Sequence, residues 1–292
     1  MNSPGSNKEL EALVDLIDEP DETIYLKIKT RIISYGKTAI PFLEAAFDNN
    51  LKPLPQKRIG VLLNKLRFDA VINDLSDWYL LGASNLLLAY MIITRYQYPH
   101  LDELFIKNEF EKIRKEIWIE FNSDLTALEK VNLINHILFD VHNFEGDRTN
   151  FHSPLNSYLN TVLESRKGNP LSLSMIYLIV AHLLEIPIYG VNLPEHFVLA
   201  YVDQHSYIPG KLSEKPNILF YINPFSKGTV FTKSDVDEFL KQIKVKATPY
   251  YYQPCSNADI IRRLLRNLIF SYESAGNKVK SLELEKLLEI LK

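Results

Sequence analysis

The sequence predicts an α+β fold with a helical majority, and three features predict it. Apolar residues recur at helical spacing from Leu10 to Leu138. Strand-period runs are confined to Ile188–Ile222, after Pro187. From Ser234 onward the pattern is helical again. A length of 292 residues suits about two domains, and 46% hydrophobic with 24% charged residues is a globular composition, which excludes a disordered chain.

Taken in order, Leu10, Leu13, Leu16 and Ile17 form the first helical stripe, broken at Asp18–Asp21. Ile24, Ile28, Ile32 and Ile33 form the second, up to Gly36, and Ala39, Phe42, Leu43 and Ala46 begin the third. Short helices with such breaks resemble a HEAT-type pair, which buries its apolar faces by stacking on neighbours. Further helices are expected at 56–66 and over the uncharged run Trp78–Tyr96. That run has no charge before Arg95, but it is shorter than the roughly 20 residues of a membrane span and carries Gly82, Ser84 and Asn85. It reads as a buried helix. Leu101–Glu120 places Leu104, Phe105, Ile113 and Ile117 inward, and Leu125–Phe139 does the same with Leu128, Val131, Leu133, Ile134 and Leu138.

A turn-rich stretch, His142–Pro154, precedes a helix at 156–165. Gly168-Asn169-Pro170 then opens an apolar helix running to Leu184, with proline at a position pre-organised for a helix start. Strands are expected at Ile188–Leu193, His196–Val202 and Ile218–Ile222, with a long polar loop at Asp203–Asn217. The tail forms helices at Ser234–Ile243, Asn257–Gly276 and Lys278–Leu291. The last two are amphipathic about a Gly-Asn turn, like one tetratricopeptide-type unit, with Arg262, Arg263 and Arg266 on a solvated face. Three segments result: a helical module at 1–78, an α+β core at 79–256 and a helical hairpin at 257–292.

Lys and Arg total 33 against 36 for Asp and Glu, so no positive field is present to hold nucleic acid. The single cysteine, Cys255, excludes a disulfide framework and a Cys-based zinc site, and fits a reducing compartment. The N-terminus, MNSPGSNKELEALVD, has no apolar core behind a basic start and is not a secretory signal. A cytoplasmic protein with no membrane association is therefore expected. His136, His142 and His152 lack metal-ligand spacing, and Asp140, Glu145 and Asp147 sit in a polar loop, so no metal site and no cofactor are expected. The tyrosines at 250–252, between prolines, are expected to pack over the core.

Chemistry concentrates in 150–225. A helix start (Gly168–Ser172), a His opening a strand (His196) and an Asn closing the next strand (Asn223) come in that order. A nucleophile at a helix N-terminus gains from the dipole, a His takes its proton, and an Asn or Asp orients the imidazole. The segments LNSYLNTVLESRKGNPLSLSMIYLIVAHLLEIPIYGVNLPEHFVLAY and YINPF resemble a bacterial branch of the transglutaminase-like superfamily, which joins this core to a tetratricopeptide-type tail; a related core occurs in a eukaryotic F-box protein. The resemblance runs from about Asn85 to the C-terminus and leaves 1–78 outside it. It implies a transglutaminase/papain-like core, a central helix on a small antiparallel sheet, with His196 as the histidine and Asn223 at the Asp position.

Competent members carry Cys at the helix start. Here the candidates for that position are Ser172, the nearest hydroxyl, and Pro170, while Glu195 replaces the usual Gly before the His and Ser226-Lys227-Gly228 the usual Gly pair. Asn156, Asn169, Pro170 and Glu195 are candidate cleft-lining residues. Without the thiol, the expected function is a non-catalytic interaction or scaffold protein with a protein or peptide partner. The alternative is a Ser172–His196–Asn223 hydrolase or acyltransferase acting on amide or peptide bonds, and a third is a regulatory subunit that uses only its helical surfaces.

Overall fold

The computed structural model describes residues 4–50, 52–122, 124–150, 152–203, 206–208, 211–212 and 216–292. It divides into two compact units, one reaching Asp77 and including Arg95–Pro99, the other comprising Trp78–Thr94 and His100–Lys292. The three segments expected from sequence are thus grouped as two, with the C-terminal hairpin in the same unit as the sheet.

The first unit is helical: α1 (Pro4–Asp15), α2 (Glu22–Ser34), α3 (Ile40–Asn49) and α4 (Pro53–Leu80), of which the last three residues belong to the second unit. Its core gathers Leu10, Val14, Ile17, Ile28, Ile32, Leu43, Ile59, Leu62 and Leu66. Asp21 starts α2 by accepting the Thr23 and Ile24 amides, so the charged break between α1 and α2 acts as a cap. Arg58 donates to the carbonyls of Ile17 (2.9 Å) and Glu19 (2.8 Å) and lies over the Tyr25 ring, tying the break to α4. Leu16 and Ile24, expected inside, are about half exposed, whereas Ile17 is buried as expected and Tyr25 takes the inward position in line with Ile28 and Ile32.

The uncharged run is not one helix. After α4 the chain turns through Gly82 (φ +92°) and Ala83 (φ +52°) before α5 (Leu86–Gln97). Asn85 accepts the Leu88 amide, and its carbonyl receives the Trp78 indole N–H at 2.8 Å. Next come α6 (Glu103–Glu120) and α7 (Ala127–Asn135), which continues into a π-helical turn at His136–Val141. In α6 the buried stripe is Ile106, Phe110, Ile113 and Ile117, whereas Leu104 and Phe105 are exposed. Asp102 caps the Phe105 amide and fixes this phase.

The second unit centres on α9 (Pro170–Leu183), reached through α8 (Leu159–Ser165). Every side chain from Pro170 to Ala181 is buried, the pattern of a helix enclosed on all sides. Beside it, β1 (Glu145–Gly146) pairs in parallel with β2 (Lys167–Gly168). The main sheet is antiparallel, in the order β3 (Ile188–Val191), β4 (Val198–Val202), β7 (Ile218–Asn223), β8 (Thr229–Phe231), and a separate short hairpin joins β5 (Tyr207–Ile208) to β6 (Lys211–Leu212). Strands β1, β2, β5, β6 and β8 are too short to show a period in sequence.

Alternation along β4 sorts the two faces of the sheet. Tyr201 lies on the face toward α9, near Tyr177. Val198 and Ala200 lie on the other, in a second core with Tyr221, Tyr252 and with Val236 and Leu240 of α10 (Lys233–Gln242). Of the three tyrosines only Tyr252 is buried; Tyr250 is half exposed. Helices α11 (Asn257–Ser274) and α12 (Lys278–Ile290) close the chain.

Gly228 has a positive φ of +73°, and a β-carbon there would enter the Asn135 side chain, whose Nδ2 donates to the Gly228 carbonyl at 3.0 Å. Gly228→Ala is expected to cost about 1–3 kcal/mol in urea unfolding; a loss below about 0.5 kcal/mol would remove this account of the turn.

Candidate functional site

The start of α9 is built by reciprocal hydrogen bonds. Asn169 Oδ1 accepts the Ser172 amide at 2.9 Å, and Ser172 Oγ accepts the Asn169 amide at 2.9 Å. The same hydroxyl donates to the Asn169 carbonyl at 3.2 Å. Asn169 Nδ2 reaches Ser157 Oγ at 2.9 Å. Gly168 carries no side chain because a β-carbon would stand 2.5 Å from Ser172 Oγ. Ser172 is fully buried. Its hydroxyl is therefore occupied as a cap, with backbone partners only.

His196 and Asn223 lie elsewhere. The half-buried His196 ring meets Phe239 of α10 edge-on, 5.1 Å between centroids, on the face of the sheet away from α9. Asn223 Oδ1 accepts the Phe225 amide at 3.1 Å and so caps the short turn Pro224–Ser226. Among the described residues, no hydrogen bond joins Ser172, His196 and Asn223. Ser172 stands in the first turn of α9, whereas His196 precedes β4 and Asn223 ends β7.

Cys255 is also placed away from a nucleophile's role. Its amide donates to the Gly190 carbonyl at 2.8 Å, beside the Val191–Pro254 bridge. Burial, and secondarily the Asp259 carboxylate, pushes the thiol up to about 12.

A cleft of about 390 Å³ opens at the α9 N-terminus. Asn169, Pro170 and Leu171 form one wall, with Ser157 and His152 beside them, and Glu195 and Phe197 come from the loop before β4. Arg263, Asn267, Phe270 and Ser271 of α11 supply the opposite wall. Asn156 is buried and directed elsewhere, to Asp147 Oδ2 (3.2 Å) and the Asn150 carbonyl (2.8 Å).

The α11 residues were missed in sequence, where the basic cluster read as solvated. In the structure Arg262 binds Asp259 and the Leu291 carbonyl, Arg263 Nη1 donates to the Leu193 carbonyl (2.8 Å) and to Asn192, and Arg266 alone is exposed. Burial lowers the Arg263 pKa. A signal did exist: Arg263, Asn267 and Ser271 stand four residues apart, a polar stripe on one side of an amphipathic helix.

The loop before the short 3-10 turn Pro154–Ser157 is not simply solvated either. Asp147 is buried and accepts from the Thr149 and Asn150 amides (both 3.0 Å), Thr149 Oγ1 (2.9 Å) and Asn156 Nδ2. The Asn150 amide contributes most to holding this carboxyl down to about 2, and burial opposes it. His142 is buried against Glu116 at 2.5 Å, and the more exposed His136 faces Asp140 at 3.3 Å. Among the described residues, no three His, Cys, Asp or Glu side chains gather as a metal site, and no helix is long and apolar enough to cross a membrane.

A buried helix entered through a capped turn, laid on an antiparallel sheet and facing a cleft at its N-terminus, defines a transglutaminase/papain-like α+β core. The family described as "Transglutaminase-like superfamily" matches residues 105–266, and the chain belongs to that superfamily. Among similar proteins, a UPF0162 protein of Xylella fastidiosa (strain 9a5c) is 30% identical over 199 residues, 64% of each chain. F-box only protein 21 of Mus musculus is 31% identical over 147 residues, 48% of this chain and 21% of that protein. A UPF0162 protein of Vibrio cholerae is 26% identical over 160 residues, 54% of this chain and 55% of the relative. The chain thus spans less than two thirds of the length of the curated relatives it matches. No solved structure matches it.

Two outcomes follow from these environments. Because the folded pKa of Asp147 is depressed, its contribution to stability is complete above its ordinary value near 4 and is lost as pH falls toward about 2. Asp147→Asn should flatten the urea-stability profile across that window; an unchanged slope would show that the loop does not depend on the charge. Cys255 should resist iodoacetamide at about pH 8 in the native protein and react only on unfolding. Fast native labelling would show a thiolate that this environment does not allow.

Proposed function

We propose that the protein is a non-catalytic binding protein, in which the transglutaminase-like core serves as a receptor for a protein or peptide partner. The observation that carries this reading is the state of Ser172: its hydroxyl is buried and hydrogen-bonded to the Asn169 backbone, so the serine at the helix start does not open on the cleft. Pro170, at the first helical position, faces the cleft instead. A hydrolase of Ser172, His196 and Asn223 would need a base within hydrogen-bond reach of the hydroxyl, and His196 packs on Phe239 across the sheet.

On this reading the helices outside the core are contact surfaces, HEAT-like in the first unit and tetratricopeptide-like in α11 and α12. The partner is neither nucleic acid nor membrane, in keeping with a net charge of −3. A cytoplasmic location is supported by a lone cysteine without a disulfide partner.

The test is labelling by a serine-directed fluorophosphonate, together with turnover of activated esters and of glutamine-peptide/amine pairs. Native protein, Ser172→Ala and His196→Ala should give the same background turnover and no stoichiometric labelling. A loss of about a hundredfold or more in His196→Ala, the size expected for a positioned general base, would overturn the reading. Ser172→Ala should instead show its effect on folding, at about 1 kcal/mol.

A further inference from the structure

The α9 cleft contains hydrogen-bonding groups that the fold leaves unused. Pro170 has no N–H, the Ser172 amide is taken by Asn169 Oδ1, and the Leu173 amide by the Asn169 carbonyl. The Leu171 amide is left without a partner among the described residues, at the positive end of the helix dipole. Across the cleft, Ser271 is only 7% exposed, lines the cavity, and has no hydrogen-bond partner for its hydroxyl among the described residues. That hydroxyl is available to a group that enters the cavity.

Two more groups extend the pattern. The Asn267 carboxamide lines the cavity with no partner among the described residues. Arg263 is held by Nη1 to the Leu193 carbonyl, which positions the guanidinium and leaves its other nitrogens unpaired among the described residues. Spacing and charge then select the ligand. Four residues of α-helix rise about 6 Å, so Arg263, Asn267 and Ser271 form a ladder with that step. Two residues of extended peptide advance about 6.6 Å. A peptide lying along α11 therefore meets a polar group at every second residue, on the side of its backbone facing the helix.

The cationic end of the ladder, with the Leu171 amide, suits a carboxylate: guanidinium and helix N-terminus both favour a planar anion. Phe197, Phe270 and Leu171 give apolar walls for the terminal side chain. The one acid in the lining, Glu195, is exposed at a left-handed backbone position (φ +60°). We infer that this cleft binds the C-terminal carboxylate of an extended peptide, an inference that rests on the non-catalytic reading above and supplies its partner.

The test uses the full chain and pools of N-acetylated tetrapeptides, identical except for a free carboxylate or an amide at the C-terminus, with binding read by calorimetric titration. The carboxylate pool should bind about tenfold tighter or more. Arg263→Gln should erase that preference, and Glu195→Gln should preserve or sharpen it. Since Arg263 also holds the Asn192–Leu193 loop, Ser271→Ala and Asn267→Leu serve as variants free of that contact; each should weaken the carboxylate pool several-fold with the melting curve intact. Equal binding of the two pools overturns the carboxylate inference and leaves the binding reading standing. Binding of N-acetyl-leucine as tight as that of the tetrapeptides overturns the extended-peptide part. No binding of either pool at millimolar concentration overturns the inference, and cleavage of the peptides lost in His196→Ala overturns both readings.

Discussion

The second unit depends on how α9 begins, because a helix enclosed on all sides has to satisfy its first amides without water. Asn169 and Ser172 satisfy each other's amides, and the Asn169 carbonyl takes the Leu173 amide. Among the described residues only the Leu171 amide is left to the cleft, and the arrangement is anchored outward. Asn169 bonds Ser157, Asn156 bonds Asp147, and the Asp147 amide donates back to the Gly168 carbonyl at 2.9 Å. The chain from 147 to 172 is thus a closed polar circuit around one helix end. Its members are interdependent: Gly168 must lack a side chain because Ser172 occupies the space, and Asp147 must be ionised because two amides, a hydroxyl and a carboxamide donate to it.

That circuit accounts for the state of the Ser172 hydroxyl. A hydroxyl used to close a capping box is oriented by two backbone groups and shielded from the cleft, and freeing it would expose the helix end. The fold has kept the helix N-terminus, with its dipole and its cleft, while the group that faces the cleft at the first helical position is a proline ring. On the non-catalytic reading proposed above, such a site can still attract an anion, which needs no reactive side chain.

The sheet divides the remaining chemistry. Its α9 face carries Phe197 and Tyr201, its α10 face His196, Val198 and Ala200, and the period of two assigns neighbours to opposite sides. Tyr221 reaches the Tyr252 carbonyl at 3.1 Å on the α10 face, so the segment after α10 closes that core while the next turn pairs with β3. Helix α11 then lies against the cleft. The same helix packs on β3, where a β-carbon at Gly190 would meet Phe197 at 2.6 Å and Ile260 at 3.1 Å.

The sequence by itself determined the class of fold, the helix that starts at the cleft and three strands of the main sheet, because these follow from local signals: apolar period and Pro and Gly punctuation. It also identified Asn169, Pro170 and Glu195 as residues to look for at a cleft. Helical phase was legible only to within a residue, as Tyr25 for Ile24 and Ile106 for Phe105 show, since a cap or a turn resets the phase and neither leaves a strong mark. The tertiary structure alone decided which side of the sheet His196 faces, whether the Ser172 hydroxyl is free or spent, and that Arg263, Asn267 and Ser271 stand opposite α9. Each of these depends on a contact between residues far apart in the chain, and no local pattern encodes the partner across such a gap.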